Sequence, residues 1–120
     1  MARSRASAKQ AGARFERVIA DYLAAELDDF IDRKVRTGAR DTGDIGGVRI
    51  ARRRLVIECK DVSRMALPEW TAEARTEALN DGSVAGLVVH KRHGNGKPGD
   101  QWVTCTVDDL IAVLKAARDV

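Results

Sequence analysis

Residues 83–90 form a nearly continuous apolar run. A strand that is apolar on both faces fits the middle of a sheet, buried from above and below. This run constrains the chain most, because other segments must then cover both faces. From residue 9 to about residue 28, Phe15, Val18, Ile19, Tyr22, Leu23 and Leu27 recur at three- and four-residue steps, the period of an amphipathic helix. A second helix starts near Pro68, which suits a first turn. It runs through Trp70, Ala74 and Ala78 and stops at Asn80-Asp81-Gly82. Thr106 can cap a third, with Asp108 and Asp109 in its first turn and Leu110, Val113, Leu114 and Ala117 as its buried stripe.

Between the first two helices the pattern changes to strands. Residues 30–36 read as a first, weak strand, and residues 37–43 as a turn-rich loop. Residues 44–51 and 53–60 form two strands joined by a tight turn near Arg52. Folded antiparallel about that turn, Asp44 and Glu58 come within a couple of residues of each other across the ladder. Leu55, Ile57 and Cys59 then face one side of the second strand, and Val56, Glu58 and Lys60 the other. After the apolar run, residues 91–101 are a basic, glycine-rich loop, and residues 102–106 alternate like a strand. The expected order is α-β-β-β-α-β-β-α. It describes a single α/β domain over residues 9–120, preceded by a flexible basic arm at residues 1–8.

With 120 residues, 44% of them apolar, the chain can bury a core without staples, although aromatics make up only 4%. Net charge is +3, but the arginines crowd the first half: Arg3, Arg5, Arg14 and Arg17, then Arg33, Arg36, Arg40, Arg49, Arg52, Arg53 and Arg54. A one-sided basic surface favours a polyanion such as nucleic acid; the plainer alternative is a solvated surface. Cys59 and Cys105 lie in strand-like runs without a C-x-x-C or a His/Cys zinc spacing, which suits a reducing compartment. No apolar run has membrane-spanning length and no signal-peptide core follows Met1, so the cytoplasm is the expected location.

Four residues carry chemistry. Glu16 projects between Leu23 and Leu27, inside the apolar arc of the first helix, where a carboxylate needs a partner. An arginine salt bridge is the simplest one. Glu58 and Lys60 stand two apart on one strand face, and Asp44, preceded by Gly43, opens the neighbouring strand. Converging carboxylates beside a lysine suit a divalent cation and an activated water, whereas a lone acid–base pair on a strand is usually a surface ion pair. Other signals are weaker. Gly94-Asn95-Gly96-Lys97 lacks the context of a phosphate-binding loop. Trp70 and His90 read as packing residues, and His93 as a possible phosphate contact.

The segments Gly12-x-x-Phe15-Glu16-Arg17, Gly43-Asp44-Ile45 and Glu58-Cys59-Lys60 resemble the PD-(D/E)xK nuclease superfamily. Within it, the chain is most similar to the small Holliday-junction resolvase-like endonucleases, including those of actinobacterial phages. Residues 44–48 and 85–94 extend the likeness over nearly the whole chain. One departure is Gly43, where the motif usually has proline. The resemblance implies a restriction-endonuclease-like fold, with a mixed central sheet flanked by helices. It implies Mg²⁺, with Mn²⁺ as a substitute, held by Asp44, Glu58 and the Cys59 carbonyl. Glu16 would complete the site directly or through water, and Lys60 would position the attacking water or stabilise developing charge. DNA contacts would come from Arg3, Arg5, Arg17, Arg36, Thr37, Arg40, Lys91, Arg92 and Lys97. The substrate would be a four-way junction or other branched DNA, cut by a homodimer. Flaps, nicks or plain duplex are alternative substrates, and a non-catalytic DNA-binding module is the alternative from another class. If roughly six of these basic side chains touch phosphate, affinity for DNA falls on the order of 10³-fold between about 50 and 200 mM salt. Fluorescence anisotropy across that range checks it; a flat profile contradicts the polyanion reading.

Overall fold

The computed structural model describes residues 3–35 and 40–119. The elements are α1 (Arg5–Glu26), β1 (Asp32–Arg33), β2 (Ile45–Gly46), β3 (Arg49–Ile50), β4 (Arg53–Lys60), α2 (Leu67–Asp81), β5 (Ala85–His90), β6 (Trp102–Thr104) and α3 (Val107–Arg118), with a 3-10 turn at Pro98–Asp100. Together they make an α/β fold with a mixed sheet. The strand order is β1-β2-β4-β5-β6, and β3 extends the β4 pairing. β4 and β5 run parallel, from Leu55↔Ala85 to Lys60↔His90, while the other pairs are antiparallel. A parallel pair needs a crossover, and α2 provides it.

β5 sits between β4 and β6, and all of its residues but Leu87 are buried. That is the double burial its apolar run predicts. Alternation on β4 separates two packing layers. Ile57 and Cys59 join Phe15, Ile19 and Ala20 of α1, with Ile31, Ile45, Val48 and Val89. On the opposite face Val88 packs with Trp70 and Ala74 of α2. Full burial of an aliphatic side chain such as Val88 contributes about 1.5–3 kcal/mol.

The structure corrects several boundaries. The helix begins at Arg5 rather than residue 9, because Ser4 Oγ accepts from the Ser7 N–H at 3.1 Å. Arg3 donates to the Asp61 carbonyl at 2.9 Å, so the described part of the expected arm is docked. The first strand is only Asp32–Arg33; Phe30 and Val35 are exposed, and Arg36 lies outside the described residues. The strand expected over 44–51 is broken into β2 and β3 by a bulge. Ile45 pairs with Ile57 but Arg49 pairs with Arg54, so the β2–β3 side carries one more residue between pairs than β4 does. Gly47 makes this possible. Its φ is +87°, and a Cβ there would lie 2.8 Å from the Phe30 carbonyl. The bulge lets both Ile45 and Val48 face the core, three positions apart. Last, the α3 stripe expected to be buried is open. Of that stripe Leu110, Leu114 and Ala117 are exposed and Val113 is half-buried; Val107 and Ile111 are exposed too, and the buried residues are Asp109 and Ala116.

α2 approaches β5 so closely at Gly86 that an added Cβ would lie 2.3 Å from the Ala74 carbonyl oxygen. Gly86→Ala is therefore expected to destabilise the fold by about 1–3 kcal/mol, the usual cost of overpacking. Urea denaturation measures it, and wild-type stability in that variant would contradict the packing described.

Candidate metal centre

The β2–β4 register brings the first two acids together. The Asp44 N–H donates to the Ile57 carbonyl at 2.9 Å, which sets Asp44 opposite Glu58 across the ladder. Asp44 is 7% exposed and Glu58 3%. One Asp44 oxygen accepts from the Cys59 N–H at 2.8 Å, fixing the carboxyl at the end of β4. The two carboxyls also hydrogen-bond each other. Gly43, just before Asp44, has φ +97°, and a Cβ there would lie 2.8 Å from Val56. Proline is locked near −65°, so the glycine that replaces it gives this aspartate a different backbone approach. Asp41 braces the turn by accepting from the Gly43 N–H at 3.0 Å. Asn80 and Lys34 hold the same loop through the carbonyls of Asp41 and Thr42, at 2.9 and 2.8 Å.

Lys60 shares the Glu58 face, as alternation predicts. Its Nζ lies 3.9 Å from Glu58 Oε2 and 3.0 Å from Glu73 Oε2. Burial pulls its pKa down, but the Glu73 hydrogen bond and the Glu58 charge outweigh that and hold it above its ordinary value. The ammonium stays charged beside the acids.

Glu77, absent from the sequence-based set, belongs to this cluster. It is 3% exposed, and its carboxyl lies close to that of Glu58. The signal was available: Trp70, Ala74 and Ala78 mark the inner face of α2, and Glu77, seven residues after Trp70, lies on it. A pattern built from apolar residues alone does not register a buried acid. Glu58 Oε1 and Glu77 Oε2 are buried without a hydrogen-bond partner among the described residues. Oxygens of Asp41, Glu58 and Glu77 lie within 4.8 Å of one another.

Glu16 is placed differently. It receives hydrogen bonds from Arg33 at 3.2 and 3.3 Å, the arginine pairing that its helical position allows. It still lines the groove that reaches Asp44, about 740 Å³ in volume, together with the basic residues Lys9, Arg17, Arg33 and Lys34. Several expected DNA contacts are engaged within the chain. Arg3 pairs with Asp61, Arg17 with Asp21 and Asp32, and Arg40 donates to Asn80. Arg92 stacks 4.3 Å above Trp102. Arg5 and Lys97 are exposed, and Lys91 lines a small cavity beside Asp61. Arg36 and Thr37 lie outside the described residues. His93 bonds the Val62 carbonyl, and His90 is buried against Trp70 and Thr104.

No family model, curated protein or solved structure matches the chain.

Burial is the first cause that pushes Asp44 and Glu58 up to about 8 and Glu77 up to about 7; Glu58 raises Asp44 further and Glu77 raises Glu58, while Asp44 holds Glu58 down and Glu58 holds Glu77 down. Unfolded carboxyls titrate near 4. Between those values the folded state holds protons that the unfolded chain has released. The stability of the metal-free protein therefore falls as pH rises from about 5 to 8. Melting in EDTA at about pH 6 and pH 9 should show the lower Tm at the higher pH, and Glu58→Gln should flatten the dependence. A metal-free Tm that rises with pH contradicts the buried-acid cluster.

Proposed function

We propose that the chain is a metal-dependent DNA endonuclease of the PD-(D/E)xK kind with a restriction-endonuclease-like fold, acting on branched DNA. The observation that carries this reading is the opposition of Asp44 and Glu58 across the β2–β4 ladder, with Lys60 on the Glu58 face. The donor set fits a hard divalent cation: buried carboxylate oxygens, one of them, Glu58 Oε1, without a donor among the described residues. Asp44 and Glu58 would hold it, with the Cys59 carbonyl beside them. Such a cation would supply charge for the phosphodiester oxygens and lower the pKa of a bound water.

The residues present have definable tasks. The Cys59 N–H orients Asp44, and the strand register keeps the two carboxyls at fixed separation. Glu73 holds the Lys60 ammonium at the edge of the cluster, where it can stabilise charge developing on a phosphate. The basic groove that runs from Lys9 to Lys34 past Asp44 gives a phosphate backbone a path to the site. Glu16 acts there through Arg33, which it orders.

The test is cleavage of a labelled four-way junction, flap, single strand and linear duplex, with Mg²⁺ or EDTA. Cutting should require Mg²⁺ or Mn²⁺. Asp44→Asn and Glu58→Gln should nearly abolish cutting while folding and DNA binding persist. Lys60→Ala should lower the rate on the order of 10²- to 10³-fold, as expected for a group that stabilises developing charge. Normal cutting by Lys60→Ala reduces the Glu58–Lys60 pair to a surface ion pair.

Resolving a junction requires two cuts, and α3 offers a surface for pairing two copies. Its open stripe is self-complementary in an antiparallel arrangement. Val107 would meet Leu114 of the partner, and Leu110 would meet Ile111. Asp108, in the acidic first turn, would then face Lys115, in the basic last turn. Sedimentation should show a dimer. Leu110→Glu should dissociate it, Asp108→Lys should weaken it, and adding Lys115→Asp should restore it. A dimer unaffected by these changes is built on another face.

A further inference from the structure

We propose that Asp41, Glu58 and Glu77 form a second divalent-cation site, sharing Glu58 with the Asp44–Glu58 pair. It extends the cation-binding reading of that pair and rests on it through the shared Glu58. Three elements contribute one acid each: the loop before β2, strand β4 and helix α2. Their oxygens lie within 4.8 Å of one another.

Proximity alone would not distinguish a site from a crowd of surface acids. Here two of the three acids are 3% exposed, and each has a buried oxygen with no hydrogen-bond donor among the described residues. Buried acceptors are normally satisfied, so two orphaned oxygens in one cluster point to a missing positive partner. Lys60 does not fill that role. Its ammonium sits against Glu73 and approaches only Oε2 of Glu58, leaving Oε1. The loop that carries Asp41 is tied to the end of α2 by Asn80, which holds Asp41 near Glu77. The site opens to solvent through a groove of about 520 Å³ lined by Asp41, Glu69, Ala72, Glu73, Thr76 and Glu77. An all-oxygen, acidic donor set selects Mg²⁺, Mn²⁺ or Ca²⁺ over softer ions. Two cations sharing a carboxylate would place positive charge on both sides of a scissile phosphate.

The experiment counts Mn²⁺ bound to the full chain, without DNA, by electron paramagnetic resonance titration. Wild type should bind two per chain. Glu77→Gln and Asp41→Asn should each bind one, with unchanged circular dichroism. Asp44→Asn should keep the Asp41–Glu58–Glu77 ion and also bind one. A wild-type count of one overturns the proposal, as does an unchanged count of two in both Glu77→Gln and Asp41→Asn. Should the buried Glu77→Gln fail to fold, the half-buried Asp41→Asn decides alone. The counts are independent of cleavage, so a missing second ion in an active nuclease refutes this site and leaves the nuclease reading standing. Two ions in a protein that cuts no DNA would do the reverse.

Discussion

Two carboxyls facing each other across a buried strand pair set the terms for everything around them. Backbone hydrogen bonds set Asp44 and Glu58 opposite one another across the β2–β4 ladder, and the Cys59 N–H holds the Asp44 carboxyl in place. Burial disfavours their charged forms, Glu58 raises Asp44 further and Glu77 raises Glu58, which is why both hold protons well above the usual carboxylate range. Such an arrangement is costly in the metal-free protein, and the proposed cation would offset that cost. The structure around it serves to hold it in place. The Gly43 turn brings Asp44 in, Asp41 and Asn80 brace that turn, and the Cys59 N–H fixes the carboxyl.

The two faces of the sheet divide the work. The α1 face is filled by aliphatic side chains around Ile57 and Cys59, and it makes the larger core. The α2 face carries Glu58 and Lys60 at the end of β4, and α2 closes over it with Trp70 and Ala74 while presenting Glu73 and Glu77. One helix thus both packs the sheet and supplies acids. The close contact at Gly86 fixes how far α2 stands from the sheet, and therefore where Glu77 falls.

Much of this was legible in the chain. The apolar run of β5, the alternation on β4 and the turn at Ala51-Arg52 were enough to place Asp44 against Glu58, because period-two patterns and short turns are local signals. What was not legible has identifiable causes. The bulge at Gly47 breaks the period, so a continuous strand was expected where there are two short ones. Glu16 met the helical criterion for an inward acid, but the pattern could not tell a groove from an arginine on β1. Glu77 meets the same criterion on α2, among the alanines of its inner face. The apolar stripe of α3 is amphipathic in the ordinary way, yet periodicity cannot say whether such a face meets its own sheet or another molecule.

The central claim is that these acids exist to hold a divalent cation. Diffraction from crystals grown with Mn²⁺, with anomalous differences measured, tests it without reference to any substrate. The account predicts an anomalous peak bonded to the carboxylate oxygens of Asp44 and Glu58, at about 2.0–2.3 Å. Carboxyls that stay hydrogen-bonded to each other, with no peak between them at saturating Mn²⁺ and alkaline pH, would contradict it.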